Sequence, residues 1–206
     1  MATREPDWSV VERLIAAPAH ARSLLSEYFR DVDWSGEVGY TGSWFERFDG
    51  GGDRHGVANR FTAADMTAVT MLGVEVPARV AWQLVSDETG RFGQLLACIP
   101  TDLDLVAAPD TSTCLELWDS IRPLHDVGRT ITSKLLARKR PRLVPIQDAV
   151  TMRALGDPTV FWEPLHRRLQ DGLHGQLVEL AAAVHGVPAG TSALRILDVL
   201  LWMEHH

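Results

Sequence analysis

Apolar residues recur at Val10, Val11, Leu14, Ile15, Leu24 and Leu25 through "DWSVVERLIAAPAHARSLLSEYF". That is the spacing of an amphipathic helix, and Pro18 is placed to bend or break it. From Thr62 the helical period returns. "TAAD" reads as a capping box with Asp in the place of Glu, followed by Met66, Val69 and Leu72. "VPARVAWQLVSD" predicts a helix with Pro77 in its first turn, and "GRFGQLLACIP" predicts a further short one. "TCLELWDSIRPL" opens with a second capping-box pattern, Thr113 with Glu116. The last third, "VFWEPLHRRLQDGLHGQLVELAAAVHG" and "SALRILDVLLWMEHH", keeps the same period, with Ser192 as a cap.

The exception is "VDWSGEVGYTGSWFERFDGGGDRHGVANRF", where the triplet Gly50, Gly51 and Gly52 disfavours regular structure. An ordered loop with one short strand is expected there. Its glycines run into "DRHG" and not into GK[ST], so a P-loop is not indicated. With no repeat and no evident linker, the pattern predicts a mainly α, compact single domain over residues 1–206, with room for two helical lobes.

The chain has 206 residues, 46% of them apolar, enough for one substantial core. No run approaches the ~18 apolar residues that span a bilayer, and "MATREPDWSV" lacks a signal-peptide layout, so a cytoplasmic protein without a membrane partner is expected. Cys98 and Cys114 lack CxxC spacing, and the eight histidines include no HExxH, so neither metal nor cofactor is expected. A formal net charge of −7 argues against a protein that coats nucleic acid. Yet Arg129, Lys134, Arg138, Lys139, Arg140 and Arg142 cluster within fourteen positions. This run reads either as a solvated helix end, where cations suit the dipole, or as a contact to phosphates.

The run belongs to "LHDVGRTITSKLLARKRPRLVPIQDAVTMR", Leu124–Arg153. Within region 115–155, one helix is expected to end near Leu124. A turn follows over His125, Asp126, Val127 and Gly128, and a new helix starts at about Arg129. In such a helix-hairpin-helix the exposed amides of the second helix favour a phosphate oxygen. "LHDVGRT" resembles the LPGVGRK or LPGVGRS hairpin of the helix-hairpin-helix DNA glycosylases, the superfamily of endonuclease III and the adenine-mismatch glycosylase. There the residue after Gly-Arg is the lyase lysine, or another residue where lyase activity is weak or missing. It precedes the catalytic aspartate by eighteen positions, the separation of Thr130 and Asp148 in this chain. "VPIQDAVTMR" is also similar to the pattern around that aspartate, with Arg153 five residues beyond it.

The resemblance implies a DNA-glycosylase-like fold, Asp148 as the catalytic residue, and a nucleic-acid contact through Val127, Gly128, Arg129, Thr130, Lys134, Arg138, Lys139 and Arg140. His125 and Asp126 replace the hairpin's Pro and Gly, and Asp126 would oppose a phosphate. Thr130 offers no amine, so a Schiff-base step at that position is excluded. A second resemblance covers nearly the whole chain: "TAADMTAVTMLGVEVP", "KLLARKRPRLVPIQD" and "SALRILDVLLWM" are similar to an uncharacterised actinobacterial family of unknown function.

Asp148 has two readings. After Pro145 and before "AVTMRAL" it is a good N-cap, worth about 1 kcal/mol. The same position lets a carboxylate stabilise an oxocarbenium-like sugar as an N-glycosidic bond breaks. Trp44 and Trp82 are candidates to stack on a base, although such rings more often pack in cores. His125 reads as an exposed turn residue and His55 as a loop histidine. The expected function is a monofunctional N-glycosylase acting on a base in DNA. The alternatives are a non-catalytic helix-hairpin-helix binding module and an enzyme acting on a small nucleoside. An open cleft with Asp148 on its wall favours an enzyme; a filled core favours the module.

Overall fold

A computed structural model of the chain describes residues 3–30, 39–110 and 112–206, the side chain of Thr113 excepted. These contain eleven α-helices and no strand. Helix α1 (Ser9–Ala16) ends just before Pro18, which starts α2 (Pro18–Tyr28) at the position where its missing N–H costs nothing. Then come α3 (Ala63–Thr70), α4 (Ala78–Ser86), α5 (Arg91–Ala97), α6 (Ser112–Ile121) and α7 (Arg129–Lys139). After an extended segment follow α8 (Ala149–Ala154), α9 (Trp162–Arg168), a π-helical turn (Leu169–Leu173), α10 (His174–Ala182) and α11 (Ala193–His205).

Two interior helices organise the packing. α11 is buried on nearly every side, from Ala193 to Leu201, and is wrapped by α1, α2, α8 and α10. Its entry is fixed by Ser192, whose hydroxyl accepts the Arg195 amide at 3.1 Å. α7 is equally interior, buried from Thr132 to Lys139, and packs on α3 and α6. A helix apolar all round is the usual occupant of such a position. α7 differs in bringing Lys134, Arg138 and Lys139 inside with Leu135 and Leu136.

The capping box at Thr62 forms as expected, with Thr62 Oγ1 accepting from the Asp65 amide and Asp65 Oδ2 from the Thr62 amide. Three expectations are corrected. Pro77 caps α4 from outside the helix. α6 begins at Ser112, so Thr113 lies inside its first turn and not before it. The expected short strand is missing from residues 39–61, where Thr41–Trp44 and Phe48–Gly50 form 3-10 turns; residues 31–38 fall outside the described residues.

The loop avoids strand geometry because its carbonyls point inward at three buried cations. Arg138 donates to the carbonyls of Phe45, Glu46 and Phe48 at 2.5 to 2.8 Å. Lys139 donates to Val57 O at 2.9 Å, and Arg140 to Ala58 O at 2.9 Å and to the side chain of Asn59 at 2.8 Å. Carbonyls held by α7 in this way are not available to a neighbouring strand. The last glycine of the triplet is required by this approach. A Cβ on Gly52 would stand 2.4 Å from the Arg138 carbonyl oxygen, so any larger residue forces the loop off α7.

Candidate functional site

The hairpin joins α6 to α7 through residues 122–128, with Asp126 at φ 62° in the left-handed region. His125 and Asp126 point into solvent and pair with each other at 2.8 Å. Val127 is buried and anchors the turn. Gly128 precedes α7 on an exposed surface, and a Cβ there would meet nothing within 4 Å.

Two side chains of α7 then fix the extended segment that carries Asp148. Ser133 Oγ accepts the Gln147 amide at 3.0 Å, and the Thr130 hydroxyl lies 3.4 Å from the Gln147 carbonyl as donor. The eighteen-residue spacing thus closes in space, with Thr130 and Asp148 in one lining. Asp148 caps α8 through Oδ1, which accepts the amides of Val150 and Thr151, both at 2.9 Å. Its other oxygen, Oδ2, stands 3.5 Å from Lys134 Nζ, which donates to Leu72 O at 2.9 Å. Burial pulls the Lys134 pKa down, with the charge of Asp148 working in the opposite direction.

These groups face a cleft of about 780 Å³ bounded by α2, the segment after α3, α7, α8 and α11. One end is aromatic. Tyr28 and Tyr40 stack at 5.2 Å, and Trp202 meets them edge-on at 6.1 and 5.4 Å. His206 stacks on Trp202 at 3.9 Å. From α11, Arg195 and Asp198 form the floor. Arg195 donates to Asp198 Oδ2, to the Tyr28 hydroxyl and to Gly42 O. Asp198 Oδ1 has no hydrogen-bond partner, although the residue is only 8% exposed. Burial, reinforced by the charge of Asp148, pushes the Asp198 pKa up to about 6 against the opposing charges of Arg195 and Lys134.

The basic run is not a surface. Arg138, Lys139 and Arg140 are 1%, 0% and 1% exposed, and their donors are taken by backbone carbonyls, Asn59 and Asp65. This corrects the expectation that they meet phosphates: a polymer backbone cannot reach them in the folded chain. Lys134 is likewise interior, at the cleft wall, while Arg142 pairs with Asp104 at the surface. Arg129 remains exposed. The two lysines of the sequence, Lys134 and Lys139, are therefore both buried.

Neither tryptophan proposed for stacking lines the cleft. Trp44 is covered by the Arg47 guanidinium at 3.8 Å, and Trp82, 61% exposed on α4, borders a separate groove. The aromatic end was missed in the sequence because Tyr28, Tyr40 and Trp202 come from three distant segments. Among the described residues no set of three His, Cys, Asp or Glu side chains is arranged to hold a metal, and no helix is long and apolar enough to cross a membrane.

The model of a family of unknown function, DUF6308, matches residues 21–205. No curated protein and no solved structure matches the chain.

Proposed function

Since the chain belongs to this family of unknown function, its chemistry has to be sought in the cleft, and we propose that it hydrolyses the N-glycosidic bond of a small nucleoside-like ligand. The observation behind this reading is Asp148, a capped and oriented carboxylate on the wall of an open cleft. A planar base fits against the aromatic end at Tyr40 and Trp202, which places a sugar toward α7 and α8. There Asp148 Oδ2 opposes the positive charge that develops on the sugar as the bond to nitrogen lengthens. The cap on Oδ1 fixes the carboxylate before reaction, so little reorganisation is needed in the transition state.

A small ligand is favoured over a polymer because four of the six clustered cations are interior and the hairpin apex carries Asp126. The second reading, a base extruded from DNA, draws on Gly128 and Thr130 in the cleft lining and on exposed Arg129 beside them. It draws on the glycosylase resemblance at the hairpin and at the spacing of Thr130 and Asp148.

The two readings separate in one assay. The chain is incubated with purine and pyrimidine ribo- and 2′-deoxyribonucleosides, and with duplexes carrying damaged or mismatched bases. Free base is measured by chromatography, and abasic sites by hot alkali. Base release from a nucleoside with intact duplexes is the expected result. Release from duplexes alone would establish the DNA reading in its place, and no release from either class would leave the binding module.

A further inference from the structure

We propose that a groove separate from the cleft binds a free α-amino acid, with the ligand's carboxylate on Arg47 and its ammonium at Glu46 and Asp53. The groove holds about 270 Å³ and backs onto the cleft through Gly42 and Arg195, which line both. Arg47, Glu46 and Asp53 all line it, and all three are half-buried, so a ligand can reach them. The site is independent of the N-glycosidase reading.

The three charged groups are not paired. Opposite charges in one region ordinarily close on each other, as Arg54 does with Asp49 at 2.7 Å in the same loop. Among the described residues, Arg47, Glu46 and Asp53 form no ion pair, and Arg47 Nε is buried without a hydrogen-bond partner. Two of them are instead held where they stand. The Arg47 guanidinium lies 3.8 Å over the Trp44 ring, and the Ser192 hydroxyl donates to Glu46 Oε1 at 2.9 Å. The backbone beneath both is fixed by Arg138, which takes the carbonyls of Phe45, Glu46 and Phe48. So rigid a frame keeps a guanidinium and two carboxyl groups apart in one groove. A ligand that carries both charges a short distance apart satisfies both ends at once, without reorganising the loop.

The rest of the lining sets the ligand's size and side chain. Phe29, Pro141, Pro188 and Ala189 are apolar, and the volume suits a side chain of a few carbons. Arg195 is already committed to Asp198, Tyr28 and Gly42, which leaves Arg47 as the guanidinium for a carboxylate. The charged groups around Glu46 are Arg47 and Asp53 of the loop, Arg195 of α11 and Arg138 of α7. Burial, reinforced by the charge of Asp53, pushes the Glu46 pKa up to about 7 against Arg195 and the Ser192 hydroxyl. An ammonium seated beside it favours the charged carboxylate, so uptake of the ligand near pH 7 should release a proton.

Calorimetric titration of the intact chain tests the site. The probes are L-valine and L-leucine, their α-amides, which lack the carboxylate, and isovalerate and isocaproate, which lack the ammonium. At least one amino acid is expected to bind, with a heat that varies with the ionisation enthalpy of the buffer at pH 7 as a proton is released. Its amide and its deaminated acid should bind at least about 10-fold more weakly, as loss of a hydrogen bond to a charged group does. Arg47→Gln should bring the amino acid down to the affinity of its amide. Asp53→Asn and Glu46→Gln should bring it down to that of the deaminated acid, with unchanged circular dichroism as the check on folding. The wild-type comparison and the proton release need no variant. No binding of either amino acid, equal binding of the amide or the deaminated acid by wild type, or variants that keep the wild-type preference would overturn the site. Base release plays no part in the measurement, so this proposal and the N-glycosidase reading fail separately.

Discussion

Asp65→Ala is expected to lower folding stability by about 3 to 5 kcal/mol, the typical cost of breaking a buried ion pair from one side. The Asp65 carboxylate is 1% exposed and meets two cations at once, Arg138 Nε at 3.1 Å and Lys139 Nζ at 3.0 Å. Removing it leaves both cations inside with carbonyl partners but no carboxylate in contact. Burial already works against the charged forms of Arg138 and Lys139, so the loss adds to an existing strain on them. Asp65→Asn separates the two duties of the residue. Its one oxygen can still accept the Thr62 amide and keep the capping box of α3, worth about 1 kcal/mol, while the charge is lost and an NH2 group faces Arg138 Nε in place of an acceptor. Urea unfolding with unchanged slope is the measurement. A loss below about 1 kcal/mol for the alanine variant would show that the carbonyl cage alone satisfies the two cations.

Asp148→Asn is expected to reduce base release by at least about 100-fold while the chain stays folded. An amide oxygen can still accept the Val150 and Thr151 amides and keep the cap on α8, while interior Lys134 loses its ion-pair partner, so a stability loss of about 1 to 3 kcal/mol is expected without loss of the fold. What it cannot supply is negative charge opposite the sugar. Because Thr130 offers no amine, borohydride should trap no covalent adduct through that residue in wild type or variant. Base release by the variant at the wild-type rate would remove the aspartate from the reaction and leave it as a cap.

The sequence revealed the local features of the fold better than its interior. Helix starts at Thr62, Asp148 and Ser192 follow from short-range chemistry, since a cap and the amides it satisfies lie within three residues, and the break at Pro18 follows from its missing N–H. The hairpin turn was legible for the same reason. The fate of the basic run was not, because charge in a sequence points to solvent unless its partners are known, and the loop and helix groups that hold Arg138, Lys139 and Arg140 stand 41 to 93 positions away. One signal was present: Lys134 and Arg138 fall a helical turn apart among Leu135, Leu136 and Leu143, an apolar setting unlike that of a solvated helix end. The candidate site was half legible. Thr130 and Asp148 are linked by a known spacing, whereas Asp198, Tyr40 and Trp202 join them only through the packing of α11 and the segment before the first 3-10 turn.

That both lysines lie within the fold has a practical reach. Amine-directed acylating reagents, immobilisation resins and cross-linkers find no ε-amino group on the native surface, since both lysines are buried. Each modification of Lys134 or Lys139 then records an opening of the structure. Lys139, sealed by Asp65 and the glycine loop, reports rupture of the cation cage, while Lys134 reports events at the cleft wall. Two residues of one chemistry thereby become separate clocks for two regions of the molecule, with a ligand in the cleft slowing only one of them.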